Sequence, residues 1–141
     1  MEDEYDMAGT FNGNPLTMAA TKATLTEVLT RDAYDRFNAV HKVLADGCAS
    51  VIEKYGLPAY VTGLGAKGSV IYSATPVREY RDAVGIDERI TYVAWLFQQN
   101  RGVFKSPWTK QETWTTSVFH TDDDAKRYVD NFEELAAAIT A

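Results

Sequence analysis

The sequence predicts an α+β fold, an α/β sandwich with a small, mainly antiparallel sheet and helices packed on one side. Three observations carry this. Apolar residues recur at helical spacing over long stretches at both ends of the chain; short β-rich runs separated by glycines lie between them; and the order reads helix, helix, two strands, helix, two strands, helix. With 141 residues, 45% hydrophobic and 24% charged, the chain holds material for one core, and no repeat or linker divides it.

Residues 1–8 open with Met1-Glu2-Asp3-Glu4-Tyr5-Asp6 and read as an acidic, exposed lead-in, unlike the basic and then apolar start of a signal peptide. The domain proper is expected over residues 9–141. In Gly9-Thr10-Phe11-Asn12-Gly13-Asn14-Pro15, two glycines allow a sharp turn or a close approach to a ligand. Asn14 supplies a cap oxygen and Pro15 suits the first helical position, so the loop delivers the chain into the positive end of a helix, a natural place for an anion. Leu16, Ala19, Ala20, Ala23, Leu25, Val28 and Leu29 follow at roughly helical spacing.

A second helix is expected near Asp32, with Asp32 as cap and Asp35 three residues on. Its apolar face is Phe37, Val40, Val43, Leu44, Cys48, Val51, Ile52 and Tyr55, and Gly56 and Pro58 stop it. Residues 59–62 and 69–73 suggest a hairpin, and 76–84 a surface segment with a short helix. Asp87 opens a third helix to about Gln99 with Ile90, Val93, Ala94 and Phe97 inward, closed by Gly102. Residues 103–105 and 113–119 read as two more strands. Thr121 caps a last helix whose first turn carries Asp122, Asp123 and Asp124, favourable at that end of the dipole. Tyr128, Val129, Phe132, Leu135, Ala136 and Ile139 form its core face.

Fourteen basic residues against twenty acidic ones give a net charge of −6, which repels phosphate backbones and disfavours nucleic-acid binding. The single cysteine, Cys48, forms no internal disulfide and removes any cysteine-based metal framework. No apolar run reaches membrane-span length, so a cytoplasmic location is expected.

Four constellations have ordinary structural explanations. Gly63-Leu64-Gly65-Ala66-Lys67-Gly68 matches G-x-G-x-x-G, but a strand follows it where a nucleotide site needs a helix, so it reads as a hairpin. His41 lies mid-helix, expected exposed, and His120 sits just before a cap; neither has a second ligand at a helpful spacing. Cys48 on an apolar helix face is a small core residue. Asp122 to Asp124 need no cation to explain them. Among the aromatics, Trp95 and Trp114 fit the core, whereas Trp108, after Pro107 in a loop, is the candidate for an exposed or interface position.

The segment Gly9-Thr10-Phe11-Asn12-Gly13-Asn14-Pro15-Leu16-Thr17-Met18-Ala19-Ala20 resembles the G-T-[F/L]-[S/N]-G-N-P segment of class III, fold-type I, pyridoxal-phosphate-dependent aminotransferases, nearest to the glutamate-1-semialdehyde 2,1-aminomutase branch. Tyr55-Gly56-Leu57-Pro58, residues 61–65, Asn100-Arg101-Gly102-Val103 and the 117–121 strand before the last helix keep the family's order, so the resemblance covers nearly everything after residue 8. It implies the small C-terminal domain of such an enzyme. The Schiff-base lysine and the acid facing the pyridine nitrogen then belong to a large domain, on another chain or preceding this one. None of Lys22, Lys42, Lys54, Lys67, Lys105, Lys110 and Lys126 lies in that context. The chain alone is therefore expected to be inactive and to carry no catalytic residue.

The resemblance further implies that Gly9 and Thr10 reach across a dimer to the phosphate of pyridoxal 5'-phosphate held by the other subunit, while the domain closes a cleft over a small amino substrate. An arginine that pairs with a substrate carboxylate is expected late in the family's small domain; residues 107–116 hold Lys110, preceded by Lys105, and no arginine. A homo-oligomer is expected, because the helices over residues 15–55 would expose faces that the large domain covers. Two other readings stand beside this one: a binding or interaction module that kept the fold and lost the cofactor chemistry, and an unrelated small enzyme using His120 with a nearby acid.

Overall fold

Two long helices carry the core, and both follow from amphipathic sequence. In the computed structural model, which describes residues 9–106 and 110–141, α1 spans Pro15–Ala23, α2 Arg31–Tyr55, α3 Tyr80–Val84, α4 Glu88–Asn100 and α5 Asp122–Thr140; β1 is Tyr60–Leu64, β2 Lys67–Ile71 and β3 Glu112–Thr115. The lead-in 1–8 and the expected interface aromatic Trp108 lie outside the described residues. Helix α2 buries Ala33, Phe37, Val40, Leu44, Cys48 and Val51, a stripe at intervals of three and four, and α5 answers with Ala125, Tyr128, Phe132, Leu135 and Ala136. From Val40 to Val51 on α2 and from Ala125 to Ala136 on α5 these faces meet and, with Leu57, Val70 and Trp114, supply the main hydrophobic core.

The sheet is antiparallel in the order β1-β2-β3. Leu64 pairs with Lys67, so Gly65 and Ala66 form a two-residue turn, with Gly65 at φ +60° in the first turn position. The G-x-G-x-x-G match is thus a hairpin. Central strand β2 is buried from Gly68 to Ile71. Val70 joins the helical core, whereas Ile71, pointing the other way, lines a hollow with Val77, Ala83 and Ile86.

Several boundaries differ from the sequence reading. Helix α2 starts two residues earlier, with Thr30 as cap and Asp32 inside the first turn. A π-helical turn at Thr24–Val28 joins α1 toward α2, and Leu29 N–H donates to Thr24 O at 2.8 Å. Residues 103–105 form no strand. The strand expected over 113–119 spans Glu112–Thr115; Thr116 N–H still donates to Ala66 O at 2.8 Å, at the β1–β2 turn where the partner strand ends. In α4 the buried positions are Thr91, Ala94 and Gln98, and Val93, expected inward, is exposed. Gln98 is drawn in because its Nε2 donates to Tyr128 O at 3.0 Å and its Oε1 accepts from Asn131 Nδ2 at 3.0 Å.

Candidate functional site

The segment in front of α1 folds into an exposed, internally braced turn. Asn12 N–H donates to Gly9 O at 3.0 Å, and Gly13 takes φ +70°, a value that favours glycine. Asn14 then holds the helix start from three sides: its Oδ1 accepts from Thr17 N–H at 2.9 Å, and its Nδ2 donates to Phe11 O and Thr17 Oγ1, each at 2.7 Å. The predicted cap and Pro15 stand where the sequence put them. Gly9 and Thr10 are exposed, on the surface and away from the core. A Cβ on Gly9 would come within 2.9 Å of the Asn12 side chain, so the turn admits no side chain there without a shift.

The helix end itself offers little to an anion. Pro15 lacks an N–H and Asn14 already occupies that of Thr17. An anion at this place would rely on the backbone amides of the turn and the Thr10 hydroxyl.

Among the described residues, the same N-terminal stretch contributes nothing to the hydrophobic core. Helix α1 buries no residue, and Phe11 and Leu16 are each 81% exposed. Met18, Leu25 and Val28 are exposed beside them, which makes an apolar surface of the kind that a monomeric protein keeps small.

A second group of polar side chains, buried and not singled out by the sequence, meets inside the domain. Lys105 Nζ lies 2.6 Å from Glu112 Oε1 with both side chains buried. Tyr128 donates its hydroxyl to Glu112 Oε1 at 2.7 Å, and Tyr72 donates to Oε2 at 2.6 Å. The ammonium also stands 5.1 Å from the centre of the Tyr128 ring. Burial, and then the adjacent Glu112 carboxylate, push both tyrosine hydroxyls well above their ordinary pKa. They are fixed as neutral donors. No sequence signal marks Glu112, a lone acid among polar residues.

A cavity of about 290 Å³ opens beside this cluster, lined among others by Lys105, Trp114, Thr116, His120 and Arg127. His120 is exposed and serves its own loop: its Nδ1 accepts from Ser117 N–H at 2.9 Å. His41, expected exposed, is half-buried, and its Nδ1 accepts from Trp114 Nε1 at 3.3 Å. The structure does not bring the two histidines into one site with an acid. Asp124 closes a capping box with Thr121, and no group of metal-ligating side chains occurs among the described residues. Cys48 is fully buried, and desolvation drives its thiol pKa far upward. No helix among the described residues is long and apolar enough to cross a membrane.

No family model matches the chain. Glutamate-1-semialdehyde 2,1-aminomutase 2 of Brevibacillus brevis is 35% identical over 87% of this chain and 28% of its own length. The aminomutase of Desulfatibacillum aliphaticivorans is 32% identical over 83% of this chain and 27% of its own. Among solved structures, the glutamate-1-semialdehyde aminomutase of Pseudomonas aeruginosa in complex with PMP superposes with a TM-score of 0.85 at 25% identity, over 97% of this chain and 30% of that one. A β-phenylalanine aminotransferase from Variovorax paradoxus gives 0.80 at 26% identity, over 93% and 30%. The chain spans less than a third of the length of the relatives it matches.

The cofactor of that family is pyridoxal phosphate, and the donors present here suit only one end of it. The Gly9–Thr10 turn presents a hydroxyl and amides of the kind a phosphate takes, whereas the buried amine of Lys105 is committed to Glu112. In sequence and in fold the chain is the C-terminal domain type of the class III, fold-type I, pyridoxal-phosphate-dependent aminotransferases.

Proposed function

We propose that this domain works as the small, cleft-closing part of an aminotransferase or aminomutase like glutamate-1-semialdehyde aminomutase, and that Gly9 and Thr10 contribute to the phosphate site of a cofactor held mainly by a neighbouring subunit. The observation that carries the reading is the turn before α1. It is braced by Asn14 and exposed, and it leads into a helix that leaves its apolar residues uncovered. A turn shaped in advance and held away from its own core suits a ligand presented by another surface.

When bound, pyridoxal phosphate supplies an electron sink for the proton shifts of amino-group transfer. This chain's share is binding and enclosure. The Thr10 hydroxyl and the turn amides take phosphate oxygens, and the apolar residues Phe11, Leu16, Met18, Leu25 and Val28 dock against the large domain or a second subunit. The buried Lys105–Glu112 pair fixes the floor of the neighbouring cavity. The substrate is a small amino compound, and an oligomer follows from the uncovered face.

The test is to supply the missing part. The chain is fused to the segment that precedes its matching region in the Brevibacillus brevis relative. The fusion should bind pyridoxal phosphate with an absorbance signature that the chain alone lacks. Thr10→Ala in the fusion should weaken retention of the cofactor roughly tenfold, the loss of one charge-assisted hydrogen bond. Unchanged cofactor retention in Thr10→Ala removes the phosphate role. Stable reduction of pyridoxal phosphate onto the unfused chain, with turnover of an amino donor, removes the division of labour.

A further inference from the structure

Two buried polar atoms among the described residues have no hydrogen-bond partner: the Thr91 hydroxyl and the Trp95 indole N–H. They stand four residues apart on α4 and therefore on one face of it. Thr91 is 1% exposed. A helical threonine ordinarily satisfies its hydroxyl on a carbonyl one turn back, and this one does not. An indole N–H only donates, so its partner must be an acceptor. Native structures seldom leave such groups unmet, because each has lost its hydration on burial.

Both side chains line the same small niche, together with Lys105, Gln111, Glu112 and Thr113. Its volume is about 10 Å³, close to what a single water molecule requires and too little for an organic ligand. Niches that stay empty are apolar; this one has two unmet polar atoms in its wall and an ion pair beside them. We propose that one ordered water occupies this niche, accepting from Trp95 Nε1 and hydrogen-bonding to Thr91 Oγ1, and that it ties α4 to the buried Lys105–Glu112 pair. Water is the one common group of this size that accepts from an indole, exchanges a hydrogen bond with a hydroxyl and also suits a carboxylate or an ammonium. With it, the pair is braced from α4 as well as by Tyr72 and Tyr128.

A crystal structure of the full chain in which ordered waters are visible provides the direct test. Density is expected at hydrogen-bond distance, about 2.7–3.2 Å, from both Thr91 Oγ1 and Trp95 Nε1. An empty niche between unmoved side chains overturns the proposal. Thr91→Val, which keeps the shape, separates the two states in solution. With the water present, Tm falls by about 3 °C, because the water loses a partner. In a dry niche the change removes only an unmet hydroxyl, and an unchanged or raised Tm refutes the water. Should Thr91→Val fail to fold, the unaltered chain still decides. The Trp95 indole proton, identified as the signal missing from Trp95→Phe, should show magnetisation exchange with a bound water, and its absence counts against the site.

Discussion

Glu112 Oε1 accepts from both Lys105 Nζ, at 2.6 Å, and the Tyr128 hydroxyl, at 2.7 Å. A strand residue, a loop residue and a helix residue are thereby joined at one carboxylate inside the domain. Removing either charge alone strands the other in a low-dielectric setting. Glu112→Gln or Lys105→Met should each lower unfolding free energy by about 3 kcal/mol, and the double variant should cost clearly less than their sum. Urea titration of the four proteins measures this. Additive losses would show that the two charges do not depend on each other.

Trp114 in β3 lies across the sheet from Gly68, its register partner in β2. A Cβ on Gly68 would stand 2.3 Å from Trp114 Cζ2. Gly68→Ala should therefore destabilise the domain by about 2–3 kcal/mol through displacement of the indole. Near-ultraviolet circular dichroism should change along with it.

Among the described residues, two carboxyls are held below their ordinary pKa, and both are exposed. The Arg89 side chain and then its backbone N–H hold Asp87 at about 2, and the Thr121 backbone N–H, followed by its hydroxyl, lowers Asp124. A depressed folded-state value contributes stability above the unfolded pKa, near 4, and loses it as pH falls through the folded value. Tm should fall between about pH 4 and pH 2. Asp87→Asn and Asp124→Asn should each flatten part of that fall, and an identical slope in both variants would contradict the assignment.

Cys48 is inaccessible, with its thiolate strongly disfavoured. Under native conditions it should not react with a disulfide reagent over hours, and one equivalent should appear in denaturant. Prompt labelling of the folded chain would place Cys48 outside the core.

The parts of the fold legible in the sequence are those fixed locally. Asn14-Pro15 announces a start, Gly56 at φ +61° a stop, and Thr121 with Asp124 a capping box. Amphipathic spacing in α2 and α5 names most of the core. What escaped the reading depends on distant partners. Residues 103–105, expected as a strand, instead form a loop with Phe104 91% exposed, because a carboxylate seven residues on draws Lys105 inward. Gln98 likewise displaces Val93 as an inward residue, since acceptor and donor on α5 await it. The lead turn was readable as a shape and, through its resemblance, as a family mark. The Glu112 cluster was not, because a lone acid among polar residues carries no periodicity.

Among the described residues, helix α1 and the turn before it contribute nothing to the buried core, so burial there does little to offset their ordering. Asn14 sets the shape of the turn locally, and under the proposed function the docking of a second surface supplies the remaining hold on Thr10. Under the function proposed above, cofactor affinity and subunit encounter are thermodynamically linked, and dilution should loosen both together.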